Sequence, residues 1–223
     1  ISVIQANGAA GGDSSNSMHR CRQRRTSGAA APMYTLSESL HTMSKRATIV
    51  VDLQNEYLPT GKLPLVGLEA ALAHAARVIA AARAQGELLV HVRHESAQAD
   101  APFFAPHTAG VQIIPAVAAR EGEPVIVKHH PNSFRGTALK ELLDDQGITE
   151  VVVIGAMSHM CIEATSRAAA DHGYPVTVVH DACATMSLSF EGTDVPAAQV
   201  HAASMAALGF GYASIKTTDQ HLA

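Results

Sequence analysis

The chain of 223 residues contains no tryptophan, and Phe and Tyr together make up only 4% of it. Alanine and valine dominate instead, a composition that suits helices packed on a buried parallel sheet. Charged residues are also few, at 16%. No apolar run approaches the ~18 residues of a membrane span, and no charged-then-apolar signal sequence precedes the body. The three cysteines, Cys21, Cys161 and Cys183, are too scattered for a disulfide framework or a zinc site. A reduced, cytoplasmic chain is therefore expected. A glycine-rich phosphate loop is missing as well. The first apolar run leads into Asp52-Leu53-Gln54-Asn55, which is neither a dinucleotide fingerprint nor a P-loop.

The formal charge of −4 is unevenly spread. Residues 1–46 carry six Lys/Arg against Asp13 and Glu38, a surplus of +4 that leaves −8 on the remainder. An acidic body gives no reason to expect nucleic-acid binding. The cluster from Arg20 to Arg25 is short and has no interleaved aromatics. Residues 1–45 mix Gly, Ser, Ala, Asn and Arg without apolar periodicity, as disordered or non-native tails do. Met43 is the most economical initiator, and an Arg-rich presequence is the alternative.

From residue 46 to residue 223 the pattern alternates strand and helix. Ala47–Leu53, Leu88–Val92, Pro124–Lys128, Val151–Ile154, Pro175–His180 and Tyr212–Ile215 read as strands. Helices are expected at Leu68–Gln85, near Ile114–Arg120, and at Thr137–Gln146, Met160–His172 and Val195–Leu208, several closed by glycine. The expected fold is α/β: a doubly wound, mainly parallel sheet of about six strands with helices on both faces, a Rossmann-like three-layer sandwich.

Three of the strands end on reactive residues. Ile49-Val50-Val51 ends at Asp52, Val125-Ile126-Val127 at Lys128, and Val152-Val153-Ile154 leads through Gly155 to Cys161. Such ends share one edge of a parallel sheet, where α/β proteins bind ligands. A thiol, a base and a cation are what thiol-based acyl transfer needs. A helix start at Cys161 is expected to lower the thiol pKa below its free value of ~8.5. Each residue also has a plainer reading. Cys161 could be a small buried hydrophobe, Asp52 a turn cap, and Lys128 a stem reaching solvent.

These segments resemble the isochorismatase-like cysteine hydrolases, the superfamily of nicotinamidases and N-carbamoylsarcosine amidase. Asp52-Leu53-Gln54-Asn55 is similar to the first motif. Lys128, with Asn132-Ser133-Phe134 and Gly136-Thr137, is similar to the second. Gly155 through Cys161-Ile162, then Thr165, Ala168 and Asp171-His172-Gly173, is similar to the third, and Asp181-Ala182 also fits. The resemblance spans residues 47–217. It implies that Asp52 takes the thiol proton, that Cys161 attacks a carbonyl carbon and that Lys128 balances the anions. It further implies a cis bond at Ala156–Met157, with the backbone N–H groups of Met157 and Cys161 forming an oxyanion hole.

Gln54, Phe104 and Phe134 are expected to face a small-molecule substrate. His129, His130 and His159 read as wall residues and Cys183 as structural. Nicotinamidase-type members carry an Asp-x-His pair that binds metal. Here the stretch is His91-Val92-Arg93-His94-Glu95, so neither a metal nor another cofactor is expected. The resemblance points to cleavage of a C–N bond in a small amide or carbamoyl compound through a thioester, by a homo-oligomer (dimer or tetramer). The alternatives are a vinyl-ether hydrolase of the isochorismatase type and a non-catalytic redox-sensing or binding relative.

Overall fold

The computed structural model describes residues 45–223. The expected tail at residues 1–45 lies outside them, save Lys45. Strand β1 (Arg46–Val51) is made, after Arg46, of β-branched and small residues and is buried along nearly its whole length. It pairs in parallel with β2 (Leu88–His94) on one side and β4 (Glu150–Ala156) on the other. Strand β3 (Val125–Lys128) adds beyond β2. β5 (Val176–Ala184) and β8 (Ser214–Lys216) add beyond β4, in the order β3-β2-β1-β4-β5-β8. The chain builds outward from β1, then returns to lay β4 on its free side. The crevice between β1 and β4 is thus the switch point at which doubly wound sheets hold ligands.

The period of two along each strand divides the core. Ile49, Val51, Val151 and Val153 face one apolar cluster, while Val50, Val152 and Ile154 face the other. The first cluster is closed by α2 (Leu139–Asp145), α3 (Glu163–Asp171) and α4 (Ala197–Gly211). The second is closed by α1 (Leu68–Gln85), which buries Leu68, Ala71, Ala75, Val78, Ile79 and Ala82. That spacing is one face of a helix. Gly86, at φ +68°, stops α1 and returns its N–H to the carbonyls of Ala82 and Arg83.

Several boundaries differ from the sequence reading. The helix expected near Ile114–Arg120 is a single 3-10 turn, Pro115–Val117. The Arg120 N–H goes to the Glu123 carboxylate at 2.7 Å instead of continuing a helix. Thr193–Val195 forms strand β7, paired antiparallel with β6 (Leu188–Phe190), so α4 starts only after Pro196. A short helix α5 (Thr218–Leu222) follows β8. It is held by a capping box at Thr217 and Gln220 and by Asp181, whose carboxylate accepts from the Thr218 N–H at 2.8 Å. Among the described residues no helix is long and apolar enough to cross a membrane.

Candidate active site

Asp52 is the first residue beyond β1 and has φ +51°. This left-handed geometry is one that aspartate tolerates better than most residues. Its N–H donates to the Val92 carbonyl at 2.8 Å, pinning the turn to β2. The side chain is fully buried. Lys128 ends β3, two strands away, so its stem must cross the end of β2, a span of about 10 Å between strand axes. The register of β3 on β2 sets Lys128 beside His94.

The ammonium of Lys128 stands 2.7 Å from Asp52 Oδ2 and donates to Cys161 Sγ at 3.2 Å and to the His130 carbonyl at 3.0 Å. It also lies 3.4 Å from His94 Nδ1. The acid, the cation and the thiol named from the sequence therefore meet on one nitrogen. Asp52 Oδ1 has no hydrogen-bond partner among the described residues.

Cys161 is carried by a five-residue π-helical turn, Ser158–Ile162, which passes directly into α3. Such turns recur at functional sites. The Met157 carbonyl accepts from the N–H groups of Met160 and Ile162. Side chains tie the turn to α4 and to the end of β5: Ser158 Oγ lies 2.8 Å from Nδ1 of His201 in α4 and 3.3 Å from the Ala184 carbonyl, and His159 Nδ1 lies 2.7 Å from Thr185 Oγ1. The Ala156–Met157 peptide bond is cis. Gly155, at φ +129°, lets the start of this segment lie against β1; a Cβ there would fall 1.9 Å from the Val51 carbonyl oxygen.

Electrostatics correct one expectation. The Cys161 thiol is pushed above its ordinary value, not below it. Burial is the largest cause and the Asp52 charge adds to it, while Lys128 pulls in the opposite direction. A helix start by itself favours the thiolate, but the loss of water around the sulfur reverses the direction. Burial likewise raises the Asp52 carboxyl, against the pull of Lys128. Burial alone would lower the Lys128 ammonium, but the charges of Asp52 and Cys161 outweigh it and hold the group above the usual lysine value. Burial thus works against a charge on either Asp52 or Cys161, and the Lys128 ammonium favours one on both.

Of the three substrate-facing candidates, Gln54 has a supporting place. It is fully buried, and both its amide hydrogens are donated, to the carbonyls of His94 and Val111 at 2.8 Å. Its oxygen accepts from the His94 N–H, so it offers a substrate no donor. Phe104 and Phe134 are both buried but stand in different apolar clusters, Phe134 sharing that of Cys161. Phe104, at φ +53°, meets the rings of Tyr57 and His94 edge-on, with centroids 5.3 and 5.2 Å away.

Those two partners were missed from the sequence. Tyr57 is buried, and burial followed by the charges of Asp52 and Cys161 holds its hydroxyl well above the usual tyrosine range. Burial, then Lys128, lowers His94 to about 4, which leaves its ring neutral at physiological pH. An aromatic five residues beyond the acid, and a histidine in register with the lysine, were the available signals. His91 is fully buried against Glu123 at 3.2 Å and His129 faces the Glu95 carbonyl. Among the described residues no group of three His, Cys, Asp or Glu is placed to hold a metal ion.

Comparison with known proteins gives the family. Residues 46–213 match the isochorismatase domain family. The chain is 48% identical over 176 residues to the isochorismatase family protein YddQ of Bacillus subtilis strain 168, covering 79% of this chain and 98% of YddQ. It is 34% identical to a streptothricin hydrolase of Streptomyces noursei, over 74% of this chain and 59% of that protein. It is 31% identical to maleamate amidohydrolase of Pseudomonas putida KT2440, over 61% and 71%. Among solved structures, an isochorismatase from Pseudomonas putida KT2440 superposes with a TM-score of 0.74 at 40% identity, covering 78% of this chain and 88% of that one. A cysteine hydrolase from Pseudomonas syringae pv. phaseolicola 1448A does so with 0.76 at 25%, covering 80% and 91%. With the fold, the three motif segments and a domain match over most of its length in agreement, the chain belongs to the isochorismatase family of hydrolases.

Proposed function

We propose that the protein is a cysteine hydrolase that cleaves the C–N bond of a small amide or carbamoyl compound through a thioester, without a metal. The observation that carries this reading is the convergence of Asp52 and Cys161 on the buried ammonium of Lys128. The naming of relatives as a cysteine hydrolase and an amidohydrolase supports it. In the proposed cycle Asp52 accepts the Cys161 proton as sulfur bonds to the carbonyl carbon. The developing oxyanion rests on the N–H groups of Met157 and Cys161, where donors aimed at new charge act most strongly. The C–N bond breaks as Asp52 returns the proton to the departing nitrogen. Asp52 then takes a proton from water, whose oxygen displaces sulfur, and the acid product leaves with the thiol restored. Phe104, Phe134 and Tyr57 form the apolar surroundings that keep bulk water from the charges.

The test is ammonia or amine release from a panel of small amides and carbamoyl compounds, with Cys161→Ala as control. Release by the wild type alone is the expected result. Cleavage of vinyl ethers with no amide turned over would instead favour the isochorismatase-type reaction.

A further inference from the structure

Glu56 follows Asp52 by four residues and shares a 3-10 turn, Asn55–Tyr57, with the tyrosine near the triad. Tyr57 packs on Phe104, whereas Glu56 lines a separate cavity of about 600 Å³. Small-molecule sites commonly occupy roughly 300–1,000 Å³. Its walls come from the loop after β1, with Asn55, Thr60 and Lys62, and the loop after β2, with Thr108 and Gly110. Both loops leave the carboxyl ends of their strands, the edge at which open α/β sheets take ligands. No triad residue lines this cavity.

The Glu56 carboxylate is held in place but unanswered. The residue is 3% exposed, and Oε1 is buried with no hydrogen-bond partner among the described residues. Its backbone is fixed on both sides, the N–H to the Gly110 carbonyl at 2.9 Å and the C=O from the Leu63 N–H at 3.0 Å. Gly110 leaves room for the carboxylate: a Cβ there would fall 1.7 Å from Oε2. Lys62 is on the wall and exposed, and no ion pair joins it to Glu56 among the described residues. A buried carboxylate oxygen without a partner is costly and is satisfied by a donor, best of all a charged one. A primary ammonium carries three donors and no acceptor, which matches a cavity offering a carboxylate and threonine hydroxyls.

We propose that this cavity binds a protonated primary amine, anchored by Glu56 with Thr60 and Thr108 as further acceptors. The site stands apart from the triad, and its occupation requires no turnover.

Ethylamine hydrochloride is titrated into the wild-type chain at neutral pH and constant ionic strength, followed by amide chemical shifts, with sodium acetate as the probe of opposite charge. Ethylamine is expected to saturate and acetate not to bind. Glu56→Gln, which keeps the shape and removes the charge, should weaken ethylamine by about tenfold or more, as loss of a charge-assisted hydrogen bond does. Gly110→Ala, whose methyl group takes the carboxylate's space, should weaken it as well. Lys62→Ala should leave affinity equal or higher. Melting curves identify any variant that fails to fold, and the comparison of ethylamine with acetate on wild type stands without the variants. No saturation by ethylamine, acetate bound as tightly, or folded Glu56→Gln with unchanged affinity would each overturn the proposal.

Discussion

Lys128 Nζ and Asp52 Oδ2 lie 2.7 Å apart with both side chains wholly removed from water. Removing one partner of a buried ion pair strands the other and typically costs about 3–5 kcal/mol. Lys128→Met should therefore lose about that much in urea denaturation. Asp52→Asn combined with Lys128→Met should lose clearly less than the two single changes added together. Additive losses would mean that the pair does not act as one unit.

The thiol should behave as its surroundings dictate. Cys161 is raised by burial and by Asp52, and lowered by Lys128. Iodoacetamide labelling against pH should give an apparent pKa above the free thiol value of ~8.5. Lys128→Ala should raise it further, and Asp52→Asn should bring it down. Identical profiles in all three proteins would remove both residues from the thiol's environment.

Gly155 joins the nucleophile segment to the central strand. A methyl group there meets the Val51 carbonyl oxygen at 1.9 Å, at a φ of +129° that L side chains rarely adopt. Gly155→Ala should cost several kcal/mol, on the order of 3 or more, through backbone clash and strain. A melting temperature within a degree or two of wild type would contradict the close approach of β4 to β1.

Glu123 gathers Arg83 at 2.7 Å, the Arg120 N–H at 2.7 Å and buried His91 at 3.2 Å. Hydrogen bonding from Arg83 is the first cause that holds its carboxyl down at about 2. A depressed carboxylate gives stability that is complete above its unfolded pKa of about 4.5 and lost as pH falls toward 2. Glu123→Gln should thus lower stability at pH 7 by about 1–3 kcal/mol. The difference from wild type should shrink between pH 5 and pH 2. A constant difference across that range would show that the charge is not what stabilises.

Much of this was legible in the sequence. The limits of α1 follow from its apolar spacing and from Gly86, and Asp52, Lys128 and Cys161 follow from their places at strand ends. What the sequence hid depends on contacts distant along the chain. The π-turn at Ser158–Ile162 is held by anchors, His201 and Thr185, that come from later elements. Pro115 and Ala116 looked helical because nothing local shows Glu123 capturing the Arg120 N–H. The direction of the thiol shift depends on burial, which no local pattern gives. Gln54 lay inside a motif and looked substrate-facing, yet the meeting of His94 and Val111 beside it consumes its amide.

The central claim is that Cys161 carries the acyl group. A substrate found in the amide panel is mixed with enzyme, quenched in acid within the first turnovers, and the intact protein is weighed. Wild type should gain the mass of the acyl or carbamoyl fragment, mapped by peptide analysis to Cys161. Cys161→Ser should lose several powers of ten in turnover while melting as wild type does. Turnover above about a tenth of wild type in Cys161→Ser or Cys161→Ala, against the loss expected for a removed nucleophile, would contradict the covalent mechanism.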